Sequence, residues 1–168
     1  MTDPLSVNVR PWRREDLAAG LDLFDSNVPR FFAPSERQDF IGFVEATDDP
    51  YFVLEDAAGN VVGCGGFGRA EHDPSAVVLC WGMVRSDLHG RGLGDLLLRM
   101  RLDRIASDPT HRIVEIETTQ HSQGFFARYG FAEKRSVADG FAPGMDLVEM
   151  TLELDLYRSR AGAGSGER

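Results

Sequence analysis

Gly90, Gly92 and Gly94 alternate through the stretch HGRGLG, at the mouth of a leucine-rich amphipathic run, and this is where the sequence offers its most specific chemistry. A helix entrance leaves backbone N–H groups without intrahelical acceptors, and the macrodipole adds partial positive charge there. Glycine at such a point lets a phosphate approach the amides directly, so a phosphate-bearing ligand is expected. Two common phosphate motifs are excluded. No G-x-x-x-x-G-K-[ST] is present, and the three glycines do not form G-x-G-x-x-G. Gly63, Gly65 and Gly68 do match the second pattern, but Arg69-Ala70-Glu71-His72-Asp73-Pro74 follows, which is no helix. Those glycines read as a strand with something packed close against it. Cys64 and Cys80 fall inside predicted strands and read as small buried hydrophobes. His72, His89, His111 and His121 lack the close pairing of zinc ligands, so no metal is expected.

The elements that must carry the glycine turn are a strand before it and a helix after it. Val77-Val78-Leu79-Cys80-Trp81 is an unbroken apolar run, as in a strand covered on both faces. Leu93, Leu96, Leu97 and Met100 form one helical stripe, and Leu98, Leu102 and Ile105 a second, so this helix is expected to be well buried. Gly82 is unusual inside such a strand and reads as a bulge or a point of tight packing. Arg85, His89, Arg91, Arg99, Arg101 and Arg104 cluster around the turn. Arg85 and Arg91 are assigned to phosphate, whereas Arg101 and Arg104 fit a solvated helix face equally well.

Toward the N-terminus, Val7 to Val9 predicts an edge strand ended by Pro11, and Arg14 to Ser26 a first helix. Phe31 and Phe32 lie between Pro29 and Pro34, as core residues or as aromatics facing a substrate. Ser35 and Gln38 have capping-box spacing ahead of a second helix. Tyr51 to Glu55 and Asn60 to Phe67 predict a hairpin across Asp56-Ala57-Ala58-Gly59. After Asp108-Pro109, Ile113 to Glu117 alternates as a strand, Gln120 to Tyr129 reads as a short helix stopped by Gly130, and Ala132 to Val137 as a strand. Asp139 to Gly144 reads as a loop, Met150 to Leu156 as a half-buried final strand, and Ala161 to Arg168 as a disordered tail.

At 168 residues the chain suits one domain, placed at residues 1–160, with 161–168 as the tail. No apolar stretch approaches the roughly 20 residues of a membrane helix, and no signal peptide is evident, so cytoplasmic residence without a membrane partner is expected. The net charge of −9 argues against nucleic acid and suits a cationic partner.

His89-Gly90-Arg91-Gly92-Leu93-Gly94, after a strand ending Gly82-Met83-Val84, resembles the acetyl-CoA-binding motif of the GNAT superfamily of N-acetyltransferases. That motif reads Gln or Arg, two residues, Gly, one residue, then Gly or Ala. Gly92 and Gly94 match it, while His89 stands in the Gln/Arg place. Phe125-Phe126-Ala127-Arg128-Tyr129-Gly130-Phe131 resembles the family's later Phe-Tyr, three residues, Gly-Phe segment. The resemblance runs from about Val7 to Leu156 and is tight only over these two motifs.

The resemblance implies a single α/β (α+β) domain: a mixed, mostly antiparallel sheet of about seven strands, helices on both faces and a splayed central strand pair. It implies acetyl-CoA as co-substrate, held by Met83, Val84, Arg85, His89, Gly90, Arg91, Gly92, Leu93, Gly94, Asp95, Thr119 and Phe126. It makes the Val84 amide the oxyanion donor. A base must deprotonate the incoming ammonium, with Glu117 as the candidate and Glu115 and His121 behind it. The tyrosine that often protonates the departing thiolate falls at Phe126, which has no proton to give, leaving Ser122, His121, water or no acid at all. The leading expectation is acetyl transfer to a primary amine of a small molecule, by direct attack in a ternary complex. Acetylation of a protein N-terminus or lysine is an alternative, and a non-catalytic acyl-CoA sensor is another. Members of this family are often homodimers.

Overall fold

The computed structural model describes residues 6–163. The chain divides into two compact units, Met1–Gly68 with Cys80–Arg101 and Arg69–Leu79 with Leu102–Arg168. Strand hydrogen bonding follows the order β1-β2-β3-β4-β5-β7-β6, a seven-stranded mixed sheet that puts β1 at one edge as expected.

The first unit begins with β1 (Val7–Pro11), paired antiparallel to β2 (Tyr51–Asp56). A 3-10 turn at Arg14–Asp16 leads into α1 (Leu17–Ser26). It is fastened by Asp16, whose carboxylate accepts from Arg10 Nη1 and Nη2 (2.9 and 2.8 Å) and from the Arg13 amide (2.7 Å). A second 3-10 turn, Pro34–Glu36, opens α2 (Arg37–Ala46). Glu36 caps that turn by accepting from the Ala33 amide at 2.7 Å, in place of the Ser35–Gln38 pair that the spacing suggests. The predicted hairpin joins β2 to β3 (Val61–Arg69). Asp56 Oδ1 accepts from the amides of Ala58 and Asn60, both 2.9 Å, and Gly59 takes φ +85°. The core of this unit is aromatic: Phe24 stacks on Phe32 (5.0 Å) and Phe40 (6.0 Å), with Trp81 5.5 Å from Phe40. Phe32 therefore packs with the core, and Phe31 lies edge-on to His89 at 5.2 Å.

β4 (Ala76–Val84) and α3 (Leu93–Ala106) each contribute to both units. In the second unit, β4 pairs parallel with β5 (Ile113–Thr118) over Ala76↔Ile113, Val77↔Val114 and Val78↔Glu115. β5 also pairs antiparallel with β7 (Met145–Glu153), which pairs with β6 (Ala132–Ala142). α4 covers only Gln123–Ala127, shorter than the predicted Gln120 to Tyr129, with the Gly130 amide closing onto Ala127 O at 3.0 Å.

Two further expectations are corrected. β6 does not stop at Val137 but runs to Ala142: the register breaks after Val137↔Leu147, Asp139 takes φ +56° within the irregular stretch, and pairing resumes at Ala142↔Met145. The Asp139 carboxylate accepts from the Gly144 amide (2.6 Å) and its amide donates to Asp146 Oδ1 (3.0 Å). The last strand ends at Glu153, and α5 (Leu154–Ala163) replaces both its predicted end and the first residues of the predicted tail. Residues 164–168 of that tail lie outside the described residues. The helix is anchored by Arg158, which donates to the carbonyls of Ala106 (3.2 Å), Asp108 (2.9 Å) and His111 (3.1 Å), satisfying the chain end of α3. No helix among the described residues is long and apolar enough to cross a membrane.

Candidate functional site

The glycine turn is built on the end of β4 in the first unit. The Arg85 amide donates to Val62 O (3.0 Å), while Val84 O accepts from Asn27 Nδ2 (3.0 Å) and lies 2.9 Å from His89 Nε2. The Val84–Arg85 peptide is thereby held from both sides. A short 3-10 turn, Ser86–Leu88, then sinks Leu88 among Leu54, Val62, Val84, Leu93 and Leu97, so the turn hangs from the core. Gly90 and Gly92 adopt φ +78° and +83°, and a Cβ built on either would meet no atom within 4 Å. Their freedom is thus spent on backbone conformation, and the face they present is bare main chain.

The first intrahelical bond of α3 runs from the Leu96 amide to Gly92 O (3.0 Å). The amides of Leu93 and Gly94 precede it, and Gly92 has no side chain with which to cap them. This arrangement fits a diphosphate. Of the charged residues around it, Arg91 is exposed and Arg85 pairs with Asp87 (2.7 Å) at the surface. The His89 imidazole is turned onto Val84 O, a positioning contact that its place in the motif did not announce. Met83 and Val84 are buried strand residues.

Arg101 corrects the reading of a solvated helix face: it is 3 % exposed within the first unit. Its guanidinium lies over two glycines, with Nη2 2.7 Å from a Cβ placed on Gly82 and Cζ 3.4 Å from one placed on Gly65. Tight packing therefore explains Gly82, while the bend in the strand falls one residue earlier, at Trp81 with φ +41°. Tyr51 braces that bend by donating its hydroxyl to Trp81 O at 2.8 Å. Burial raises the Tyr51 phenol well above its ordinary pKa, pushes the Cys64 thiol up to about 12 and Cys80 to about 11, and lowers Arg101 to about 10. The glycines along β3 and at position 82 were the sequence signal for this packing, but they do not say what occupies the space.

The second unit carries the remaining candidates. Glu117 is exposed on β5 opposite Glu149, and Arg135 forks onto Glu149 (3.0 and 2.7 Å), holding that carboxyl below its usual pKa. Glu115 instead meets His72 Nε2 at 2.9 Å, a pairing not foreseen. Thr119 is buried and builds the entrance to α4: its carbonyl accepts from Ser122 (3.1 Å) and Gln123 (2.9 Å), and its hydroxyl from the His121 amide (3.2 Å). Phe126 is buried edge-on against Phe125 (5.2 Å) and Phe131 (5.5 Å). The structure thus groups Met83 to Asp95 in one unit, and Glu117, Thr119, Ser122 and Phe126 in the other. Among the described residues no three His, Cys, Asp or Glu side chains gather as metal ligands would.

Residues 29–154 match the family model described as acetyltransferase (GNAT) domain. Comparison with the curated proteins found no match. Among solved structures, a candidate phosphinothricin N-acetyltransferase shares 25% identity over 89% of this chain and 99% of its own, with a TM-score of 0.74. A GCN5-related N-acetyltransferase from Kribbella flavida shares 18% identity over 88% and 97%, with a TM-score of 0.72. A candidate acetyltransferase from Salmonella typhimurium, solved with its cofactor acetyl-CoA, shares 20% identity over 89% and 95%, with a TM-score of 0.69.

Proposed function

Because the chain belongs to the GNAT family of acetyltransferases, we propose that it moves the acetyl group of acetyl-CoA onto a primary amine of a small molecule, by direct attack within a ternary complex. The observation that carries this reading is the pair of left-handed glycines, Gly90 and Gly92, leading into a 14-residue helix with bare main chain on the open side. Backbone amides of residues 90 to 95 bind the diphosphate, with Arg85 and Arg91 at its edge.

The amine lone pair forms the new C–N bond as the C–S bond breaks, and positioning supplies much of the acceleration. The Val84 amide donates to the carbonyl oxygen as negative charge builds there. Asn27 and His89, by fixing the Val84 carbonyl, steady the residue that carries this donor. Glu117, exposed at the end of β5, takes the ammonium proton directly or through water, and Ser122 is the hydroxyl offered near the sulfur. The charge of −9 favours a cationic acceptor.

The test is thiol release from acetyl-CoA against a panel of amines, amino acids and peptides. Turnover on small amines supports the proposal. Turnover confined to peptides assigns protein acetylation, and clear acetyl-CoA binding without turnover assigns a sensor.

A further inference from the structure

Arg101 is buried, and among the described residues no carboxylate forms an ion pair with it. Among the described residues, the titratable groups that act on its guanidinium are Tyr51 from β2, Cys64 from β3 and Cys80 from β4, whose burial keeps them protonated. Its hydrogen bonds go to Leu97 O (3.3 Å from Nε) and Gly66 O (3.5 Å from Nη1), both long for a charged donor. Replacing such a charge with an apolar side chain is often neutral or stabilising, so packing alone does not account for it.

Its surroundings give it an address. A left-handed φ at a bulky residue such as Trp81 is found only where neighbours enforce it, and such positions cluster at functional sites. Here the Tyr51 hydroxyl grips the Trp81 carbonyl, and Phe32 and Phe40 hold its ring at 5.9 and 5.5 Å. The next residue, Gly82, is solvent-exposed, while Nη2 of Arg101 would lie 2.7 Å from a Cβ at that position. A guanidinium therefore lies behind a bare stretch of strand whose other side is open. Val84 is only two residues further on, about 7 Å along an extended chain.

We infer that Arg101 acts across the Gly82 segment as a fixed positive charge, stabilising the negative charge that collects on the coenzyme A sulfur when the acetyl group departs. This rests on the acetyl-CoA reading above and deepens it, since Phe126 has no proton to give. The ammonium first gives one proton to Glu117 or water, the freed amine lone pair bonds to the acetyl carbon, the C–S electron pair stays on sulfur as the adduct collapses, and the nitrogen's second proton leaves to water to give the neutral amide. The sulfur departs as thiolate and is protonated later by solvent. Arg101 touches no reacting atom in this scheme and is a positioning residue. For an assumed guanidinium-to-sulfur separation of about 7 Å and an effective dielectric constant of about 20, a unit charge changes thiolate stability by roughly 10- to 100-fold, or one to two pKa units.

The test uses coenzyme A itself with wild type, Arg101→Met, Arg101→Gln and Arg101→Lys. Calorimetry reads binding, and ultraviolet absorbance of the thiolate titrates the bound thiol. The expected result is a Kd within about threefold in all four proteins, and a bound thiol that titrates about one to two units higher in the Met and Gln variants. Arg101→Lys, which restores a unit positive charge, is expected to keep the thiol pKa close to the wild-type value, a rescue that a packing role would not produce. Arg101→Met melts no lower than wild type, and Arg101→Gln carries the test if Met fails to fold. No heat from wild type overturns the acetyl-CoA reading together with this inference. Equal affinities with equal thiol pKa values overturn this inference alone.

Discussion

Gly92→Glu separates the proposed phosphate cradle from the fold that carries it. A Cβ at this position meets nothing within 4 Å, so the variant pays only for placing an L-residue at φ +83°. That strain costs about 1 to 2 kcal/mol. For a domain of this size it lowers Tm by roughly 2 to 8 °C, and circular dichroism should still show a folded protein. The new carboxylate, however, projects where the diphosphate is proposed to lie. Against about two negative charges some 6 Å away, at an effective dielectric constant of about 40, the repulsion is near 3 kcal/mol, or more than 100-fold in Kd for coenzyme A. Gly92→Ala is the control, with the same backbone strain and no charge, and should weaken binding by about tenfold or less. Added salt should narrow the gap between the two variants, because the repulsion is screened. A calorimetric Kd for Gly92→Glu within threefold of wild type, in a folded protein, would refute the cradle.

Three other outcomes are expected. Glu117→Gln should lower kcat by about 100-fold on an amine found by the acceptor panel while leaving the coenzyme A Kd unchanged, and an unaltered kcat would pass the proton to water. Asp16 is held below the usual carboxylate pKa chiefly by its hydrogen bonds from Arg10, then by the Arg13 amide. A depressed folded pKa means stability that is present above the unfolded value near 4 and lost as pH falls through the folded one. Asp16→Asn should therefore lose about 1 to 2 kcal/mol at neutral pH, with the difference closing below about pH 4 in urea titrations at stepped pH. Gly42→Ala, in open space on α2, should raise Tm slightly, worth about 0.5 to 1 kcal/mol, whereas Gly66→Ala, whose Cβ would collide with Pro50 O, should lower it by several degrees. The opposite order in a thermal melt would contradict the packing described.

The parts of the fold legible in the sequence are those where local pattern and tertiary demand agree. The double apolar stripe on α3, the Asp56–Gly59 turn and the apolar run of β4 each say the same thing at both levels. α5 was hidden because Leu152, Leu154 and Leu156 keep a strand's alternation across a boundary. Leu154 is fully buried, but Leu156, which alternation would put inside, is 40% exposed. What turns the chain is long-range: the Leu154 amide on Arg112 O (2.9 Å) and the Arg158 fork on the loop after α3. The end of β6 is hard to read because Gly140 and Pro143 look like loop residues, and the pairing does break after Val137 before it resumes at Ala142. Within the candidate site, the glycine turn was readable from spacing alone. The burial of Arg101 was not, since an arginine on a helix looks the same whether water or two facing glycines lie opposite it. His89 illustrates the same limit, because its place in the motif does not announce the contact between its ring and Val84 O.

The claim beneath the whole account is that main-chain amides at the entrance to α3 hold the diphosphate of coenzyme A. Amide nitrogen–proton correlation spectra recorded while coenzyme A is titrated into the labelled protein test it at the atoms concerned. The account predicts that Gly90, Gly92, Leu93 and Gly94 show the largest downfield proton shifts, saturating together at the calorimetric Kd. Saturable binding that moves other amides and leaves these four in place would contradict it.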